Sequence, residues 1–204
     1  MLDSTFNSNG IVTRSIGSWT ASGMCLLQPD GKIAVCGTTA NNSQEIVILR
    51  FSASGMTDST FNHNGIVEIH APIAKINLSS ALQPDGHIVI ATTESIAHGA
   101  TVALRRLDKA GKLDTLFGLS GVVSVGAALE LSGSHCLFSD SLGRIILTCR
   151  QVSGNNAQIK IFRFTAEGNP DSTFGDFGIK NIYSGKGYSY SGAMCAGQNS
   201  RLFL

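Results

Sequence analysis

The stretch Leu2-Asp3-Ser4-Thr5-Phe6-Asn7-Ser8-Asn9-Gly10-Ile11-Val12 decides the fold, because the chain writes it four times. It returns as Thr57-Asp58-Ser59-Thr60-Phe61-Asn62-His63-Asn64-Gly65-Ile66-Val67. A third copy reads Leu113-Asp114-Thr115-Leu116-Phe117-Gly118-Leu119-Ser120-Gly121-Val122-Val123. The last is Pro170-Asp171-Ser172-Thr173-Phe174-Gly175-Asp176-Phe177-Gly178-Ile179. From Asp3 to Asp58, Asp114 and Asp171 the successive steps are 55, 56 and 57 residues. Self-similarity at a fixed period of this size is the signature of a repeat architecture. Residues 1–204 read as a single repeat domain with units beginning near residues 2, 57, 113 and 170, the last one incomplete.

Each unit reads as four strand-like segments. In the first they are Gly10 to Ile16, Gly23 to Gln28, Lys32 to Thr38 and Glu45 to Phe51. Pro29-Asp30-Gly31 is a tight turn, because proline presets the backbone and Asp-Gly supplies a local hydrogen bond and a positive φ. Ala40 to Gln44 reads as a polar loop. The second unit repeats the order with Leu78 to Gln83, the turn Pro84-Asp85-Gly86, His87 to Thr92 and Thr101 to Leu107. The third has His135 to Phe138, Arg144 to Cys149 and Ile159 to Phe164. Its turn, Ser139-Asp140-Ser141-Leu142-Gly143, reads as longer by one residue. The fourth has Ile179 to Tyr183, Gly192 to Ala196, a degraded turn at Gln198-Asn199-Ser200 and a strand beginning at Arg201.

Ile46-Val47-Ile48-Leu49, Ile88-Val89-Ile90-Ala91 and Ile145-Ile146-Leu147 are apolar at consecutive positions. A hairpin strand with one wet face alternates, so these runs require cover on both faces. No segment has helical periodicity, which leaves another sheet on each side as the cover. The expected fold is all-β: a β-propeller, or a propeller segment, of four-stranded antiparallel blades. An all-β solenoid is the structural alternative.

Hydrophobic residues make up 43% of the 204 and charged residues only 14%, the composition of a packed globular chain. The formal net charge of +1, with scattered Lys and Arg, argues against a nucleic-acid partner. No apolar stretch reaches the length of a membrane span. The five cysteines, Cys25, Cys36, Cys136, Cys149 and Cys195, show no Cys-x-x-Cys spacing and read as small, buried, reduced core residues. Met1 opens directly on the repeat with no signal peptide. Localisation is read two ways: cytoplasmic if this start is natural, exported or cell-surface if the chain is a fragment.

Leu-Asp-x-x-Phe-x-x-x-Gly-x-Val, paired with Leu-Gln-Pro-Asp-Gly-Lys-Ile and an x-x-Leu-x-Arg-Phe strand, resembles the bacterial delta-60 repeat. That resemblance implies a β-propeller unit. It implies no catalytic or ligand residues, because the repeat rather than a chemistry defines the family. It is strongest over the first two units. Asp30-Gly31 and Asp85-Gly86 match the repeat's turn, and Arg50, Arg106 and Arg163 match its strand arginine.

The residues of the repeated motif are the structural candidates: Asp3, Phe6 and Gly10; Asp58, Phe61 and Gly65; Asp114, Phe117 and Gly121; Asp171, Phe174 and Gly178. The aspartates, with Asn7, Asn9, Asn62 and Asn64, have the oxygen chemistry of a calcium site. The preferred reading is that each Asp caps its own turn. Arg50, Arg106 and Arg163 lie eight residues before an Asp, which suggests an ion pair within or between blades. The motif as a whole reads as a hinge between blades, with its Phe under the neighbouring strand. His63, His70, His87, His98 and His135 occupy non-equivalent positions without zinc-like spacing. Gly185 to Tyr190 is a glycine-rich loop, and no nucleophile elbow or phosphate loop is present. Trp19, Tyr183, Tyr188 and Tyr190 are the candidate interaction surface, on loops at one rim.

The expected function is a non-enzymatic interaction scaffold that binds an unidentified protein partner, without cofactor or metal. The alternative is a ligand-binding propeller, lectin-like or calcium-dependent, and the third reading is an enzyme using the central channel. Three outcomes are open for closure of the ring. Ile11 to Ile16 can complete the last blade, two copies can close a ring as a homodimer, or the chain is part of a longer protein.

Overall fold

The computed structural model describes residues 1–16, 20–41, 43–97, 99–131, 136–153, 156–182, 195–196 and 202–203. The first sheet is β1 (Thr20–Leu27), β2 (Ile33–Asn41), β3 (Ser43–Phe51) and β4 (Ile66–His70), paired antiparallel in chain order. The second repeats this with β5 (Ile73–Leu82), β6 (Ile88–Ile96), β7 (Gly99–Leu107) and β8 (Val122–Ala127). In the third, β9 (Leu129–Leu131) and β10 (Leu137–Ser139) both pair with β11 (Ile145–Ser153). β12 (Asn156–Phe164) and β13 (Ile179–Ile182) follow. A two-stranded pair, β14 (Cys195–Ala196) and β15 (Leu202–Phe203), stands last. Among the described residues no strand pairing closes these sheets into a ring.

The sheets stack face to face, and the continuous apolar runs divide between two cores. Ile88 and Ile90 of β6 join Ala34, Cys36, Ile46 and Ile48 of the first sheet. Val89 and Ala91, one position along, join Leu137, Ile145 and Leu147 of the third. Side chains alternate across a strand, so a strand wedged between two sheets needs an apolar residue at every position. β6 is buried from Ile88 through Glu94.

The structure corrects the frame of the repeat. The motif does not join one sheet to the next. Its second, third and fourth copies connect β3 to β4, β7 to β8 and β12 to β13, so each of these three belongs to the sheet of the strand that precedes it. The step between sheets falls after the fourth strand, at Ala71-Pro72 between β4 and β5. Residues 11–15, expected in a strand, form none; a fourth strand takes its ladder bonds from the third strand before the motif, and no described strand lies along this segment. The expected loop Ala40 to Gln44 is largely strand, with Ala40 paired to Gln44 and Asn41 to Ser43. The third turn is no longer than the others. Asp140 N donates to Arg144 O and Gly143 N to Asp140 O, the same two bonds that Gln83, His87 and Gly86 make, so Asp140 stands where Gln83 stands.

Cys36, Cys136 and Cys149 are buried, and burial pushes the Cys36 thiol up to about 12. Cys25 is exposed, against expectation, because its face of the first sheet is not covered. Among the described residues no helix is long and apolar enough to cross a membrane.

Candidate functional site

Each motif is built by its aspartate. Asp58 Oδ1 accepts from Thr60 N at 3.1 Å and Thr60 Oγ1 at 2.6 Å. Asp171 does the same with Thr173 at 3.0 and 2.6 Å, and Asp3 with Thr5 at 2.9 and 2.6 Å. Asp114 receives only Leu116 N, at 3.0 Å, since Leu116 has no hydroxyl. These are side-chain turns of the kind Asp forms with the backbone two residues on. The other carboxylate oxygen takes the arginine eight residues earlier. Nε donates to Oδ2 at 2.7 Å in Arg50–Asp58, 2.8 Å in Arg106–Asp114 and 2.7 Å in Arg163–Asp171. Each guanidinium also lies over the motif phenylalanine, 4.4, 4.9 and 4.7 Å from the centroids of Phe61, Phe117 and Phe174. Cation and ring thus hold each other in register.

The third donor of the arginine crosses to the next sheet. Arg50 donates to Lys109 O and Arg106 to Ala166 O, both at 2.5 Å. The phenylalanine crosses at the same place. Phe6, Phe61 and Phe117 press against Gly55, Gly111 and Gly168, where an added Cβ would stand 3.0, 2.8 and 2.7 Å from the ring. All three glycines have φ between 81° and 87°, so both backbone and space demand glycine there. Each lies three residues before a motif Asp, a regularity readable in the sequence but without meaning until the ring is seen above it. Gly10, Gly65, Gly121 and Gly178 also have positive φ and end the motif turn.

Charge follows this geometry. Burial alone would raise the Asp58 carboxyl, but Thr60, Lys32 and Arg50 outweigh it and hold it well below the usual carboxylate range. Burial likewise would raise the Asp114 carboxyl, but Arg106 and the Leu116 N–H outweigh it and hold it below its ordinary value. The Thr173 hydroxyl, then its N–H, with Arg163, bring Asp171 down to about 2. Asn9 and Asn64 direct their side-chain oxygens to the N–H of Ile11 and Ile66. Of the groups considered for calcium, Asp58, Asp114 and Asp171 are engaged in turns and ion pairs, Asp3, Asn9 and Asn64 in turns, and Asn7 and Asn62 donate Nδ2 to the carbonyls of Ile11 and Ile66 at 2.6 and 2.7 Å. Among the described residues no group of three or more His, Cys, Asp or Glu could hold a metal ion.

A cleft of about 490 Å³ opens where the first and second sheets meet. The turns Pro29-Asp30 and Pro84-Asp85-Gly86 flank it, with Lys32, Lys109, Arg50 and Thr60 in its lining. Lys32 Nζ lies 3.2 Å from Asp58 and 3.5 Å from Asp30. Gln28 lines the cleft at 7% exposure, and among the described residues its side-chain amide makes no hydrogen bond. Gln83, its counterpart one unit later, also leaves its buried Oε1 without a partner among the described residues but donates Nε2 to Gly143 O at 2.7 Å and Ala166 O at 3.1 Å. That reach ties the turns of the second and third sheets together, whereas the first pair of turns is left apart.

Sequence reasoning missed Gln28 and Gln83, which both precede a proline turn and differ only in what they meet. It also missed Glu94 and Arg105, a buried ion pair in which Thr92 Oγ1 adds a 2.8 Å bond to Glu94. Trp19, Tyr183, Tyr188 and Tyr190, the expected interaction surface, lie outside the described residues, as do His98, His135 and the Gly185 to Tyr190 loop. His63 and His70 are exposed, and His87 is half-buried.

No curated protein matches the chain. Residues 28–61 and 83–117 match a family described as "Domain of unknown function (DUF5122) beta-propeller". Each matched stretch runs from the turn glutamine to the motif phenylalanine, Gln28 to Phe61 and Gln83 to Phe117. It therefore contains the turn, β2–β3 or β6–β7, the arginine and its aspartate. In this chain those matched stretches include Arg50 and Arg106, which lock one sheet to the next.

Proposed function

We propose that the chain is a non-enzymatic β-propeller scaffold of the delta-60 type, which binds a protein partner in the cleft between its first two proline turns. The observation that carries this reading is the Gln28 side chain, 7% exposed in an open cleft, whose buried Oε1 has no hydrogen-bond partner among the described residues. A buried amide left unbonded costs about 1–3 kcal/mol. A peptide group presents one donor and one acceptor, the complement of that amide. Pro29 and Pro84 offer apolar surface beside it, while Asp30, Asp85 and Lys109 offer charges of both signs at the mouth. The titratable groups of the motif are turned to structure instead of chemistry: Asp58, Asp114 and Asp171 are held ionised by their own threonine, lysine and arginine neighbours.

Selection of a displayed random peptide library on the chain tests this. Selected peptides should bind Gln28→Leu about tenfold more weakly, equivalent to about 1.4 kcal/mol. Asp85→Lys should redirect the charge preference of the selected pool. Peptides that bind the wild-type chain and Gln28→Leu equally would remove the cleft from the proposal. Saturable binding on a glycan array would replace the protein partner with a carbohydrate.

A further inference from the structure

A second opening lies away from the turn cleft, on the edge strands of the three sheets. Among the described residues β1, β5 and β10 each pair on one side only, and β1 and β10 both stand against β5. A cavity of about 250 Å³ opens where the three meet. Met24, Leu26, Ala81, Leu82, Leu137 and Phe138 give it apolar walls, and Ser80 and Ser139 supply its hydroxyls. None of these side chains carries a charge.

Register places both serines. Ser80 pairs with Ile90 and Leu82 with Ile88, so the two share the face of β5 turned to the first sheet. Met24 and Leu26, paired with Cys36 and Ala34, answer them from β1. Ser139 pairs with Ile145 and Leu137 with Leu147, on the face of the third sheet turned to the second. The hydroxyls therefore come to the cavity from the two sides of β5. Ser139 also stands where the earlier units have leucine, since Leu27 pairs with Ile33 and Leu82 with Ile88 as Ser139 pairs with Ile145. That exchange removes the branched end of a leucine and puts a hydroxyl in its place. Ser80 is 1% exposed, and among the described residues neither Ser80 Oγ nor Ser139 Oγ has a hydrogen-bond partner. The thiol of Cys36 beside Ser80 is a weak hydrogen-bonding group.

We propose that this cavity binds a small uncharged molecule with an apolar ring and a single hydroxyl, held by Ser80 and Ser139. Size sets the body of the ligand. A cavity of about 150 Å³ takes benzene, so this one has room for about eight to ten non-hydrogen atoms. The lining sets its charge, because an ion among apolar walls without a counter-charge is costly to bury. The serines set its polar group. A hydroxyl both donates and accepts, as they do, and buried hydroxyls left unbonded are unfavourable. Water can serve the same two groups, but a ligand hydroxyl reproduces its bonds while the ring covers the apolar walls. The cavity shares no residue with the turn cleft, so either proposal can fail without the other.

The probes are p-cresol and toluene, which differ by one hydroxyl, titrated into the whole chain by ligand-observed NMR. Toluene is the more apolar, so burial alone favours it. The wild-type chain should bind p-cresol saturably and about fivefold or more tightly than toluene, the fold-change of one hydrogen bond. Ser80→Ala combined with Ser139→Ala removes two unpartnered hydroxyls, so the variant should melt no lower than wild type, and its preference should invert to toluene. Ser139→Leu restores the leucine of the earlier units, fills the space and should abolish binding of both probes. Gln28→Leu, in the turn cleft, should change neither. Absence of saturable binding by either probe overturns the proposal, as does a wild-type chain that prefers toluene. Binding that survives Ser139→Leu unchanged places the probe elsewhere and overturns it too.

Discussion

The two seams of this molecule are made of the same repeat and differ in how they are fastened. Across the second, Gln83 holds two carbonyls of the third sheet, Ser79 Oγ accepts from Leu137 N at 3.1 Å, and Thr93 Oγ1 accepts from Leu131 N at 3.1 Å. Across the first, Arg50 and the backbone of Asn62 bridge to the turn at Lys109-Ala110, and among the described residues the Gln28 side chain bridges nothing. The apolar plug is the same in both: Phe61 and Phe117 are each 0% exposed. A common plug with a variable polar fastening lets one period yield both a sealed joint and an open cleft. The difference rests on three side chains of the second sheet, Gln83, Ser79 and Thr93, which all reach the third.

The plug gives the largest expected effect. Phe61→Ala and Phe117→Ala should each destabilise by about 3–5 kcal/mol in denaturant titrations, the range for a buried phenylalanine. The two values should agree, and a gap above about 2 kcal/mol would show that the seams differ in their apolar part as well. Next come the arginines. Arg106→Met leaves the half-buried Asp114 without a cation and should cost about 3 kcal/mol or more. Arg50→Met leaves Lys32 beside Asp58 and should cost about 1–2 kcal/mol less, because the carboxylate keeps a partner. Equal losses would mean that Lys32 contributes nothing to the first seam.

The glutamines sharpen the contrast further. Gln83→Leu strands two buried carbonyl contacts and should destabilise by about 1–3 kcal/mol, while Gln28→Leu removes an unbonded amide and should be neutral or stabilising. Thermal unfolding of the two variants decides this, and equal effects would erase the distinction between seams. The smallest effect is on pH dependence. The depressed aspartates contribute stability that is present above the ordinary Asp value near 4 and is lost as pH falls through their folded values. Stability should therefore hold to about pH 4, with Asp171 protonating near 2 and Asp58 lower. NMR titration in which Asp58 protonates before Asp171 would break the assignment of Lys32 and Arg50 as its added support.

Much of the local organisation was legible in the chain. Pro29-Asp30-Gly31 and Pro84-Asp85-Gly86 are turns, the apolar runs are strands, with both faces dry in β6, and the eight-residue step from Arg to Asp is an ion pair. The frame of the repeat was not legible. A period says how often a unit recurs but not where a sheet begins, so a motif lying between β3 and β4 reads equally well as a boundary between sheets. The candidate cleft was also hidden. Gln28 and Gln83 sit in the same Leu-Gln-Pro-Asp-Gly context, and only the neighbouring turn determines whether the amide has anything to reach.

The sequence by itself determined the period, which its four copies write out, and the turns, the apolar strand runs and the Asp-Thr-Phe cap, because each of these is fixed by contacts within about ten residues. Tertiary structure alone decided that Phe61 lies against Gly111, that Arg50 reaches Lys109, that Glu94 and Arg105 are paired in the dry interior, and that the first seam is open while the second is sealed. Those relations join residues brought together by the stacking of sheets, and nothing in the local pattern of either partner encodes the distance between them.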